Sequence, residues 1–211
     1  MIVHGSTLSP FVRKVMVFAA EKGLAIDNAQ VAPGPKTSEF LAMSPFGKIP
    51  AFEDGDYALC DSSAIIHYIE AKHPDHPMIP AEARARGRAI WFDEYADTIM
   101  FAAAAPIFFN RVVMKLMGRD GDLAAADKAE AEALPPVLDY LESVIPASGF
   151  LVEDRMTLAD VAVASPFANF GHAAVTIDPA RYPKVAAYRD AMLARPSFAA
   201  IVDKERAFLS R

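Results

Sequence analysis

The chain has one cysteine, Cys60, which excludes an intramolecular disulfide and any chemistry by a protein dithiol. It lies in "DGDYALCDSS", one strand of a hairpin predicted to turn at residues 54–56, where a free thiol behaves as a small buried hydrophobe. Runs of cations are missing too. With 21 Lys and Arg against 27 Asp and Glu, a formal charge of −6 and no basic aromatic stripe, the chain has no source of the counterion release that drives phosphate-backbone binding. Nucleic acid is thereby excluded as a partner. The opening "MIVHGSTLSP" lacks the charged and apolar regions of a secretion signal, and the most apolar later window, 99–109, is shorter than a bilayer requires. These absences predict a cytoplasmic chain without membrane contact. His73 and His76 fall in the proline-broken "HPDHPMIP", where helical metal-ligand spacing does not hold, so no metal site is predicted. Internal repeats are absent.

What is present is a globular composition, 53% hydrophobic and 23% charged over 211 residues, enough for one larger or two small domains. "KHPDHPMIP" places three prolines in nine residues between two helical patterns, the mark of a linker. Before it, periodicity predicts a strand near 1–5, a helix over 10–22, a strand near 26–31, a short helix over 37–43, strands over 50–60 and a helix over 62–72. After it nearly everything is helical: 82–117 with an interruption near Pro106, then 123–145, 157–170, 183–194 and 197–208. The expected division is an α/β unit over 1–74, a linker over 75–81 and an all-α bundle over 82–211.

"HGSTLSPFVRKVMVFAAEKG" crowds three hydroxyls, Ser6, Thr7 and Ser9, where the first strand ends and the first helix begins. Ser9 before Pro10 reads as an N-cap followed by the favoured first-turn proline. "TLAD", from Thr157 to Asp160, reads as a cap followed by an acid that reaches back to the free amides. "FGKIPAF" sets Pro50 at the start of a strand, a place proline tolerates at an edge or in a special conformation.

Taken together and in order, "STLSPFVRKV", "LAMSPFGKIPAF", "LCDSSAIIHYI" and "RMTLADVAVAS" resemble the cytosolic glutathione transferase superfamily across almost the whole chain. The resemblance implies a thioredoxin-like first domain and glutathione as co-substrate. It implies that Pro50 is a cis-proline presenting the Ile49 backbone to the cysteinyl part of glutathione. Asp61 and Ser62 would hold the γ-glutamyl end, with Lys36 and Lys48 near the glycine carboxylate. Ser9 falls where the tau and theta classes carry a catalytic serine and the omega class a cysteine. The first loop has no tyrosine, so the tyrosine-using classes are excluded. Two positions depart from the family pattern: Asp61 replaces a commoner Glu, and Ser44 precedes Pro45 where Asn is usual.

The chemistry explains the residue types. A thiol of pKa about 8.5 is only a few per cent thiolate at neutral pH, and lowering that value by two units takes about 2.7 kcal/mol of differential stabilisation. A hydroxyl donating to sulfur, together with the positive end of a helix beginning at Pro10, can supply it. Ser9 is thus both cap and catalyst candidate, and Thr7 and Ser6 are alternatives for the activating hydroxyl. For the small hydrophobic electrophile, Leu8, Phe11 and Phe46 border the thiol, while Met100 and Phe108 are helical candidates that also fit a core. A homodimer is expected, with Asp97 reaching from the partner chain to the glutathione ammonium. Conjugation is the leading activity. The alternatives are a glutathione-dependent peroxidase or disulfide reductase on the same fold, and a non-catalytic binding or regulatory protein.

Overall fold

The apolar start of the chain forms β1 (Ile2–His4), whose Val3 lies fully buried opposite Phe52, also fully buried, in the middle of a four-stranded sheet. The computed structural model describes residues 1–32 and 34–210. α1 (Pro10–Glu21) buries Val12, Val15, Phe18 and Ala19 at helical spacing, and Gly23, at φ 73°, follows where the helix stops. The chain then makes β2 (Asp27–Ala29), parallel to β1, and α2 (Ser38–Met43), whose cap Thr37 accepts the Phe40 N–H. β3 (Ala51–Asp54) and β4 (Tyr57–Cys60) form a hairpin with Gly55 at φ 66° in its turn. α3 (Ser62–Lys72) packs on α1. The sheet order β2-β1-β3-β4, with only β1 and β2 parallel, is the expected thioredoxin-like arrangement.

The chain divides into Met1–Ile79 and Pro80–Arg211. The proline-rich segment is not a loose tether over its whole length. Glu70 on α3 accepts the backbone N–H of Met78 at 2.9 Å and of Ile79 at 3.0 Å, and both residues are buried. The sequence pattern could not show this, because the anchor is a charged side chain on a helix and its partners are backbone groups.

In the second unit α4 (Ala83–Glu94), α5 (Phe101–Phe108) and α6 (Met114–Leu116) belong to one helical run, Ala83–Leu116. By length and composition this run could cross a membrane, a longer stretch than the apolar window read from sequence. Packing accounts for part of its apolar surface: Phe92, Ala96, Met100, Ala104 and Ile107 are buried, and α4 and α5 both lie against α9, while Trp91, Ile99, Phe109 and Leu116 are exposed. Pro106 does not interrupt the run. π-helical turns at Tyr95–Met100 and Phe109–Val113 flank α5 and shift the hydrogen-bond ladder. The Asn110 amide donates to the Pro106 carbonyl at 2.8 Å and accepts the Asp122 N–H at 3.0 Å. α7 (Leu123–Lys128) and α8 (Leu134–Val144) follow, joined by a third π turn, then α9 (Leu158–His172), α10 (Pro183–Leu193) and α11 (Pro196–Leu209). Every residue of α9 from Leu158 to Phe170 is buried, so α9 is the axis of this unit.

The acid of "TLAD" anchors that axis. One Asp160 carboxylate oxygen accepts the Thr157 N–H at 3.0 Å and its hydroxyl at 3.2 Å; the other accepts the Leu151 N–H at 2.9 Å and the Tyr188 hydroxyl at 3.3 Å. Burial outweighs these four donors and pushes the carboxyl up to about 6. The folded value lies above the unfolded one, so the stabilising contribution is fully present below about pH 4 and lost as pH rises through about 6. Relative to Asp160→Asn, which does not titrate, the wild-type chain should lose about 3 kcal/mol of unfolding free energy across that window. Denaturant unfolding of both proteins between pH 4 and pH 7 measures the difference, and parallel curves would contradict it.

Candidate active site

Strand register brings the sequence-predicted loops to one end of the sheet. His4 on β1 pairs with Ala51 on β3, and Ala51 pairs with Cys60 on β4. The residues one step beyond this row are Gly5, Pro50 and Asp61, so the hydroxyl loop, the proline loop and the start of α3 are neighbours.

Gly5 makes this convergence possible. It sits at φ 147°, and a Cβ there would meet Val12 Cγ2 at 2.6 Å and Ile49 Cβ at 3.0 Å. α1 and the proline loop therefore approach the strand end more closely than any side chain permits. In the following turn, Ser9 N–H donates to the Ser6 carbonyl at 3.0 Å, and the Ser6 hydroxyl accepts the Leu8 N–H at 3.3 Å. Ser6 is thus engaged in shaping the loop. Thr7 is half-buried in the same turn. Ser9 occupies the N-cap position of α1 with φ −73° and ψ 125°, and its carbonyl accepts the Arg13 N–H at 3.0 Å. Its hydroxyl makes no capping hydrogen bond. The backbone of Ser9 caps the helix and the oxygen is left for another donor or acceptor, which separates the two roles that compete in the sequence.

The Ile49–Pro50 peptide is cis. The loop before it is closed by Ser44, whose buried hydroxyl donates to the Lys48 carbonyl at 2.7 Å, and by the Gly47 N–H, which donates to the Ser44 carbonyl at 2.8 Å. Ser44, a departure from the family pattern, therefore fixes the residues leading to Pro50. Lys48 is exposed. The Lys36 ammonium donates to the Ala32 carbonyl at 2.6 Å and lies 5.8 Å from the centre of the Phe40 ring.

Asp61 adopts φ 80° and ψ 130°, a conformation costly to a residue with a Cβ, and such outliers gather at functional sites. One carboxylate oxygen accepts the N–H groups of Ser63 and Ala64, each at 3.0 Å. Asp61 is exposed and Ser62 is buried.

The apolar candidates divide. Leu8 and Phe11 are half-buried beside the hydroxyl loop. Phe46 is 88% exposed, which leaves it without the enclosure of a pocket wall. Met100 is fully buried and Phe108 nearly so. Both pack within the helical run, where apolar side chains at helical spacing face the core. Asp97 is half-buried within the first π turn. Sequence reasoning passed over Gly5 and Lys14. The signal for Lys14 was a cation between Val12 and Val15 on the apolar side of α1.

Residues 3–77 match the family model described as "Glutathione S-transferase, N-terminal domain", and residues 108–205 match "Glutathione S-transferase, C-terminal domain". Glutathione S-transferase 3 of Zea mays is 35% identical over 202 residues, covering 93% of this chain and 90% of the relative. A glutathione S-transferase of Hyoscyamus muticus is 32% identical, covering 96% and 98%. Among solved structures, a glutathione S-transferase from Methylobacterium radiotolerans, in complex with glutathione sulfonate, superposes with a TM-score of 0.77 at 27% identity, covering 95% of this chain and 93% of that one. With family models matching both halves and relatives aligned nearly end to end, the chain belongs to the glutathione S-transferase family.

Proposed function

We propose that the protein adds the thiolate of glutathione to a small hydrophobic electrophile, with Ser9 as the hydroxyl that donates to the sulfur. The observation that carries this reading is the row His4, Ala51, Cys60, beyond which the loop that leads to Ser9, the cis peptide before Pro50 and Asp61 leave one sheet end, with the Ser9 oxygen not spent on a cap. In this reading the Ile49 backbone meets the cysteinyl part, Asp61 and Ser62 take the γ-glutamyl end, and Lys36 and Lys48 face the glycine carboxylate. Leu8 and Phe11 border the electrophile. The complex of the Methylobacterium relative with glutathione sulfonate supports glutathione as the ligand.

Retention on immobilised glutathione followed by conjugation of a chloronitroaromatic tests the activity. Turnover of a mixed disulfide without conjugation replaces it with the reductase reading, and retention without turnover replaces it with a binding protein.

The assembly in this reading is a homodimer in which the first unit of one chain packs on the helical run of the other and the partner subunit's Asp97 approaches the ammonium. An aromatic ring at 88% exposure on a hydrogen-bonded turn, Phe46, suits such an interface better than a substrate pocket. Light scattering that gives a monomer at assay concentration removes both the dimer and the Asp97 role.

A further inference from the structure

Asp61 has to do two things with one short carboxylate. One oxygen is held by the Ser63 and Ala64 N–H groups at the start of α3, which leaves the other to meet an ammonium. An aspartate is a methylene shorter than the glutamate usual at this place, so it has little freedom to search for its ligand. Its position is therefore set by the position of the first turn of α3, and the residue that determines that turn also determines the carboxylate.

Lys14 is placed to do so. It lies on α1, is 1% exposed, and its ammonium donates to the Ser63 hydroxyl at 3.2 Å. Ser63 is thus gripped from two sides: its hydroxyl by Lys14, its N–H by Asp61. The same helix carries Ser9 at its start. Through one side chain, the element that begins at the candidate catalytic hydroxyl is tied to the element that begins at the ammonium-binding carboxylate. A buried lysine ammonium needs polar partners to be tolerated at all, and a hydrogen bond from a charged donor is stronger and more directional than one between neutral groups.

We infer that Lys14 is a positioning residue for glutathione recognition, which fixes Asp61 through Ser63 and so sets the spacing between the γ-glutamyl site and the Ser9 hydroxyl. This inference rests on the proposed glutathione site. Lys14 touches no substrate; it acts through Asp61.

The test is a double-mutant cycle on the full chain, read by calorimetric glutathione affinity and by KM and kcat with a chloronitroaromatic. Lys14→Met should weaken glutathione binding about tenfold, with kcat at saturating glutathione within about twofold of wild type, because the ammonium contact is equal in ground and transition states. Lys14→Arg, which keeps a long cation on the same helix, should restore most of the affinity. In the Asp61→Asn background, Lys14→Met should change glutathione affinity by less than about twofold, since the group it positions is gone. Ser63→Ala removes the acceptor while leaving both backbone caps of Asp61, and it should reproduce the Lys14→Met affinity loss; it decides the matter where Lys14→Met does not fold. Equal losses with and without Asp61, or wild-type affinity in both Lys14→Met and Ser63→Ala, overturn the inference. A wild-type chain that binds no glutathione overturns the proposed function and this inference with it, and that outcome is read before any variant is made.

Discussion

Ser9→Ala is expected to lower the conjugation rate at neutral pH by about 10²-fold to 10³-fold, the cost of removing one donor aimed at a developing or resident anion. The reason is specific to the sulfur. A thiol of pKa about 8.5 must be made anionic at pH 7 by donors that favour the charged form, and in the proposed reading the Ser9 hydroxyl and the positive end of α1 supply them. Raising the pH should recover part of the lost rate, because solvent hydroxide then makes the thiolate that the hydroxyl no longer stabilises. Stability should change little. The Ser9 hydroxyl makes no capping hydrogen bond, so its loss leaves the backbone cap intact, and a change within about 0.5 kcal/mol is expected where a true cap would cost about 1 kcal/mol. Titrating the thiolate absorbance of bound glutathione reads the shift directly. Ser6→Ala and Thr7→Ala are the controls: if the titration moves with one of them and not with Ser9→Ala, the activating role passes along the loop.

The local part of this site is legible in the sequence. A hydroxyl before a proline at the junction of an apolar strand and an amphipathic helix already places Ser9 at a helix start, and "TLAD" already places Asp160 against the Thr157 N–H. Strand and helix positions are legible for the same reason, since periodicity and turn chemistry act over a few residues. What is not legible depends on partners distant in the chain. The sequence spacing of Met100 and Phe108 suits a pocket wall or a core equally, and their burial shows only in the packing of the helical run, which lies against α9. Pro106 reads as a break because its missing N–H is local, whereas the π turns and the Asn110 amide that carry the helix past it involve residues on both sides and a loop beyond. Nothing local in the sequence marks Lys14 on α1 or Lys22 just after it as buried, yet both are, with partners 49 and 48 residues away.

Lys22→Met is expected to destabilise the chain by about 3 to 5 kcal/mol, the usual cost of removing one member of a buried ion pair. The Lys22 ammonium has no exposed side-chain surface, and its three N–H groups meet three acceptors: Glu70 Oε2 at 2.7 Å and the carbonyls of Asp75 and His76 at 3.1 Å each. The other Glu70 oxygen holds the Met78 and Ile79 N–H groups. Methionine fills the space of the lysine stem but donates nothing, so a carboxylate and two carbonyls lose their donor together. The loss should begin locally: amide exchange at Met78 and Ile79 should accelerate by more than the global change in stability accounts for, because residues 73–79 are held to α1 and α3 through these two side chains. The pair should also be replaceable as a unit. Lys22→Met combined with Glu70→Leu removes both charges and should recover part of the loss seen by denaturant unfolding, though the Met78 and Ile79 N–H groups then lack their acceptor. A single-variant loss below about 1 kcal/mol, or a double variant worse than the sum of its parts, would mean that the charges are not what holds the segment, and that the apolar burial of Met78 and Ile79 does so alone.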